Sequence, residues 1–214
     1  MSSLADLILV FVVLTNLVLL GSSRLTTCIR LAAVQGMMLG VLPLLVSTRG
    51  IGIRVVLLAV VTFALKGLLF PRLLMRAIRE ADVRHENEPL VGYAASILVG
   101  ILALGLSFWM SARLPVPQPE VSHLSLPLAL STILIGLFLI VSRRTAVMQV
   151  IGYLVLENGI FIFGVALAQE EPILVELGVL LDVFVAVFVM GIAIFHISRE
   201  FDHIDVDQLS SLKD

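Results

Sequence analysis

Seven apolar runs follow one another along this chain with short breaks between them, and each is about as long as a membrane-crossing helix. A run of about 18 or more apolar residues crosses the ~30 Å hydrocarbon layer as a helix. The candidate spans are Leu4 to Leu20, Leu25 to Val46, Ile53 to Met75, Leu90 to Ala112, Leu126 to Val141, Ala146 to Ala168 and Ile173 to Ile197. The fifth is the shortest. The breaks hold turn formers, charges or both, as in Gly-Ser-Ser-Arg24, the Pro-rich stretch from Leu114 to Pro127, and Ser142-Arg-Arg-Thr145. With 59% hydrophobic and 14% charged residues among 214, and a mean hydropathy of +1.11, the chain reads as an all-α, polytopic transmembrane helix bundle of about seven helices. The first run carries Asp6 and no basic residue ahead of it, which argues for a retained helix rather than a cleaved signal.

Seven crossings put the two ends of the chain on opposite sides, and the basic residues segregate accordingly. The odd-numbered loops and the C-terminal tail hold Arg24, Arg72, Arg76, Arg79, Arg84, Arg143, Arg144, Arg199 and Lys213, against Arg49, Arg54 and Arg113 on the other side. The positive-inside rule then places the N-terminus outside and the C-terminus in the cytoplasm. The basic residues set topology and do not suggest nucleic-acid binding. A single cysteine, Cys28, excludes an internal disulfide and an iron–sulfur cluster or structural zinc site built from this chain's thiols alone. Phosphate-binding Gly loops, CxxC pairs, HExxH and nucleophile elbows are absent from the sequence. No redox or hydrolytic chemistry is expected of the chain by itself.

Ionisable residues inside these spans are the functional candidates, because a charged side chain at the bilayer centre costs roughly 2.5–3.5 kcal/mol on insertion scales and usually marks an ion path or a buried partner. In the sixth span, Gln149, Tyr153 and Glu157 recur at i, i+4 and i+8 and form a polar ladder on one helix face. It runs from the basic loop at Arg143 and Arg144 to Glu157, roughly 18 Å deep at about 1.5 Å per residue. Burial disfavours a carboxylate's charged form, so Glu157 suits proton loading and release. The alternative is a structural carboxylate bonded to a neighbouring helix.

Asp182 occupies a similar depth in the seventh span. His196 returns to its face near the cytoplasmic end, and Glu176 lies nearer the outer boundary. His196 is most simply an interfacial residue, with a relay as the alternative, while Glu176 is equally a second carboxylate on the path or a solvated helix end. Lys66, in the third span, calls for a carboxylate partner or its own proton exchange. Otherwise it snorkels past Pro71 to the headgroups. Pro71 removes a backbone hydrogen bond and is expected to kink that helix. Arg30 is shallow enough to snorkel. An internal echo aligns Ile29-Arg-Leu-Ala-Ala-Val-Gln35-Gly with Ile151-Gly-Tyr-Leu-Val-Leu-Glu157-Asn, so that Gln35 takes the place of Glu157. The tail from Glu200 to Lys213 is acidic and suits docking on a partner subunit, or is disordered.

The segment Ser142-Arg-Arg-Thr-Ala-Val-Met-Gln-Val-Ile-Gly152 with Glu157-Asn-Gly159, and Leu181-Asp182 in the next span, resembles the K-type membrane subunit of respiratory complex I and the related antiporter C subunit. The whole length, with extra N-terminal helices and Lys66 ahead of Phe70-Pro71, resembles the hydrogenase-4 component E family of group 4 [NiFe]-hydrogenase and formate hydrogenlyase complexes. In the K-type family the second-helix glutamate falls where Leu154 stands here, one turn before Glu157, and the third-helix acid aligns with Asp182.

The resemblance implies one integral membrane domain, residues 1–214, with 1–112 as a four-helix extension, 126–198 as the K-type unit and 199–214 as a cytoplasmic tail. It implies a non-redox membrane-arm subunit in a prokaryotic cytoplasmic membrane, with Glu157, Asp182 and Lys66 on a hydrated proton path. Water is expected between them, since helical spacing suggests that they do not touch. Antiporter-like membrane subunits, other membrane-arm subunits and peripheral hydrogenase-like subunits are the implied partners. Iron–sulfur clusters and a NiFe centre would sit in those partners, and no cofactor in this chain. A multisubunit cation/proton antiporter subunit and a scaffold that moves no ions are the alternatives.

Overall fold

The computed structural model describes residues 2–46, 52–80, 89–114 and 123–167. The helices are α1 (Ser2–Gly21), α2 (Leu25–Val46), α3 (Ile53–Ala64), α4 (Phe70–Glu80), α5 (Tyr93–Ser111), α6 (Ser125–Ser142) and α7 (Ala146–Leu167). A π-helical turn, Leu65–Leu69, joins α3 to α4 in one continuous segment. Counting that segment once, six among the described residues are long and apolar enough to cross a membrane. Lipid offers a backbone no hydrogen bonds, so each span satisfies its own N–H and C=O groups as a helix. The seventh candidate span lies outside the described residues. The fifth span, shortest in the sequence, is a full helix, and as α6 it forms the most extensive pairing of the bundle with α7.

That pairing depends on small residues. A Cβ placed on Gly136 of α6 would lie 2.4 Å from the backbone nitrogen of Leu156 in α7, so only glycine permits this approach. Lipid tails are as apolar as leucine, and close packing of this kind is therefore a main source of association between membrane helices. α5 lies at the periphery against α1 and α6, with only 17% of its span buried, which leaves most of its apolar surface facing outward.

The buried apolar side chains form two clusters. One, at the end where α1 leads into α2, includes Leu19, Leu25, Phe70, Leu74, Leu139 and Ile151. The other includes Ala5, Leu9, Leu42, Leu128 and Phe161, toward the opposite ends of the same helices. Between them, α1, α2, the π turn, α6 and α7 contribute buried polar residues from near the middle of their lengths. This intervening layer contains the candidate site.

Candidate functional site

Lys66 is buried in the π turn, with 5% of its surface exposed. Two local features put it there. Proline at position 71 has no N–H, and its ring crowds the carbonyl four residues back. The chain answers by widening one turn, so that the N–H of Phe70 donates to the carbonyl of Leu65. The kink expected from Pro71 thus takes the form of a π turn that contains Lys66. The second feature is Gly36 in α2, where an added Cβ would lie 2.4 Å from the Lys66 Cβ. Glycine at 36 lets α2 come up directly against the lysine.

The ammonium of Lys66 reaches α7. Its Nζ lies 3.0 Å from Glu157 Oε1, and the two side chains are 4% and 2% exposed. The same Nζ donates to Asn158 Oδ1 at 3.1 Å and lies 5.4 Å from the centroid of the Phe161 ring. Snorkelling is therefore ruled out for Lys66, whose head group is held among buried groups. For Lys66 and Glu157 the expectation of intervening water is also corrected. Lys66 and Glu157 touch because they lie on different helices, so spacing along one helix does not set their separation. Glu157 Oε2 is buried and has no hydrogen-bond partner among the described residues.

A neutral network continues from this pair across the bundle. Asn158 Nδ2 donates to Gln35 Oε1 at 3.3 Å. Gln35 Nε2 in turn faces the Val12 carbonyl at 3.2 Å, Asn16 Oδ1 at 2.8 Å and the Thr15 hydroxyl. Asn16 Nδ2 donates to Thr132 Oγ1 at 3.2 Å, and the Thr132 hydroxyl donates to the Leu128 carbonyl at 2.8 Å. Five segments are thereby tied at one level. The internal echo of Gln35 and Glu157 has a spatial counterpart, since Gln35 bonds the residue next to Glu157.

The polar ladder keeps its register, because α7 is α-helical from Ala146 to Leu167. Its members pass from exposed Gln149 through half-buried Tyr153 to buried Glu157. Gln149 Nε2 donates to the Arg143 carbonyl at 3.1 Å. Arg143 itself is buried, with its guanidinium bonded to the Leu20 carbonyl and 4.8 Å from the Tyr93 ring centroid. Arg30 is exposed, as its shallow position suggests. Asp182, Glu176 and His196 lie outside the described residues. Among those described, no group of three His, Cys, Asp or Glu residues is placed to hold a metal.

Sequence reasoning missed Asn16, Thr15 and Thr132, and it gave Gln35 and Asn158 no role. The signal is present in each case as a polar residue inside an apolar run, the criterion that singles out Glu157.

The model of the family NADH-ubiquinone/plastoquinone oxidoreductase chain 4L matches residues 124–214. Hydrogenase-4 component E of Escherichia coli K12 is 32% identical over 151 residues, which cover 71% of this chain and 70% of the relative. The chain belongs to the hydrogenase-4 component E family. Hydrogenase-4 component E of Shigella flexneri matches to the same extent. An uncharacterized protein of Mycobacterium tuberculosis is 34% identical over 203 residues, 94% of this chain and 92% of the relative. No solved structure matches. As a member of the hydrogenase-4 component E family with six described spans, the chain is a multi-pass membrane protein. Its candidate site straddles the chain 4L match, for Glu157 and Asn158 lie inside it while Lys66 and Gln35 precede it.

Proposed function

We propose that this chain is a non-redox membrane-arm subunit of a complex-I-like, group 4 hydrogenase-type complex, in which Lys66 and Glu157 carry protons. Membership of the hydrogenase-4 component E family and the chain 4L match support the setting. The buried 3.0 Å ion pair carries the functional reading. Glu157 takes up a proton from the ladder as Lys66 gives one up away from it, which converts the ion pair into a neutral acid and a neutral amine. Passage of the proton from Glu157 Oε1 to Lys66 Nζ then restores the pair, and one proton has moved.

In this reading the partner subunits hold the iron–sulfur clusters and any NiFe centre, and their redox turnover drives the exchange. Gln149 and Tyr153 lead to Glu157 from the basic end of the bundle, which faces the cytoplasm. Asp182, Glu176 and His196 extend the path through the last span to a C-terminus on the same side, with the N-terminus outside. Antiporter-like membrane subunits adjoin it.

Glu157→Gln in the intact complex tests the proposal, with assembly followed on native gels and redox rate and proton movement followed in sealed vesicles. The expected result is an assembled complex whose proton movement per redox turnover falls. Normal assembly with normal proton movement would overturn the proton path. Loss of assembly alone would favour a scaffold. Copurification with partners that lack iron–sulfur and nickel would favour a cation/proton antiporter.

A further inference from the structure

We infer that the Gln35 and Asn158 side-chain amides are positioning residues that aim a fixed hydrogen-bond acceptor at Lys66, their sense set by the Val12 backbone carbonyl. The inference rests on the proton-carrying reading of Lys66 and Glu157 and deepens it.

An amide can be turned end for end, so its sense must come from its neighbours. Here both ends of the chain of amides are fixed by groups that cannot exchange roles. At one end, the Val12 carbonyl only accepts, and Gln35 presents Nε2 to it at 3.2 Å. That leaves Gln35 Oε1 toward α7, where Asn158 donates to it from Nδ2 at 3.3 Å. Asn158 Oδ1 is consequently the atom that meets Lys66 Nζ, at 3.1 Å. At the other end, an ammonium only donates, and it demands the same sense.

Asn16 reinforces this arrangement. The Thr132 hydroxyl is engaged with the Leu128 carbonyl, so Thr132 Oγ1 accepts from Asn16 Nδ2. Asn16 Oδ1 is then free to accept from Gln35. Two backbone carbonyls, on α1 and α6, thereby hold the orientation of Gln35 and Asn16, which lie two and three hydrogen bonds away from the lysine. All members are 5% exposed or less. A hydrogen bond fixed in such surroundings is stronger than one open to water. The consequence is that Lys66 Nζ stays on the Glu157 side of the π turn during proton exchange.

The test compares Gln35→Met with Gln35→Glu in the intact complex, in sealed vesicles, reading protons moved per redox turnover beside assembly on native gels. Methionine is close to glutamine in size but offers no amide. A protonated glutamic acid reproduces the pattern of one donor and one acceptor. The expected result is a fall of about fivefold in the Met variant, the scale of losing one hydrogen bond between neutral groups, with the ratio largely retained in the Glu variant. If glutamine only fills space, Met retains the ratio, and that outcome overturns the inference.

Should Gln35→Met fail to assemble, Asn158→Leu interrogates the last step of the chain, and an unchanged ratio there overturns it equally. Glu157→Gln is measured in parallel. If that variant moves protons normally, the proton-carrying reading itself has failed. If it loses proton movement while Gln35→Met and Asn158→Leu keep it, only the positioning role has failed.

Discussion

A buried lysine paired with a buried glutamate is stable only as a pair. Removing one partner of a buried ion pair leaves an uncompensated charge and destabilises soluble proteins by about 3–5 kcal/mol, whereas replacing both with apolar groups is often neutral. Lys66→Met is therefore expected to lower the midpoint of thermal loss of the native-gel band more than Lys66→Met combined with Glu157→Leu. Both variants should lose proton movement, so stability and function separate in the double variant. If the double variant is as unstable as the single one, the contact contributes no pairing. Lys66 and Glu157 are each conspicuous in the sequence as charges in apolar runs. Their pairing is not, because no spacing rule relates residues on different helices. Asn158 lies 92 positions from Lys66 and 123 from Gln35. Arg143 shows the converse, being a basic loop residue in the sequence and a buried link between α1 and α5 in the fold.

The helices are legible in outline, since hydropathy alone marks where a backbone must close its own hydrogen bonds. Breaks such as Gly21-Ser-Ser-Arg24 and Ser142 to Thr145 fall where the sequence suggests. What hydropathy cannot give is the rotation of each helix about its axis, and here glycines supply it. An alanine methyl at Gly36 would collide with Lys66, while one at Gly105 in α5 meets nothing within 4 Å. Gly36→Ala is thus expected to destabilise the bundle by about 1–3 kcal/mol, as overpacking does, and to disturb proton movement. Gly105→Ala is expected to leave both unchanged or to stabilise its helix slightly. Thermal midpoints in detergent, read beside vesicle assays, check the pair. Equal effects at both positions would mean that α2 does not press on the lysine. Pro71 gives half of the remaining information, for it locates the irregular turn but not its π form.

The bundle as a whole has one strongly basic end. The Arg143 contact with the Leu20 carbonyl and the hydrogen bond from the Leu90 N–H to the Ser142 carbonyl place the end of α1, the approach to α5 and the end of α6 together. Phe70 and Leu74 pack in the same cluster as Leu19 and Leu25, so α4, with Arg72, Arg76 and Arg79, belongs to that end too. Exposed Arg24 and Arg144 add to it, whereas Arg113, 4.5 Å from the Trp109 ring centroid, marks the opposite end. In the proposed orientation the basic end is cytoplasmic by the positive-inside rule, which would let the Gln149 and Tyr153 ladder draw protons from that compartment. Membrane-impermeant maleimide on intact cells tests this orientation. Arg113→Cys is expected to react from outside, and Arg144→Cys only after permeabilisation. Cys28 is fully buried, so the unsubstituted chain supplies the blank. The reverse labelling pattern would turn the bundle over, and the ladder would then draw protons from outside while the ion pair kept its chemistry.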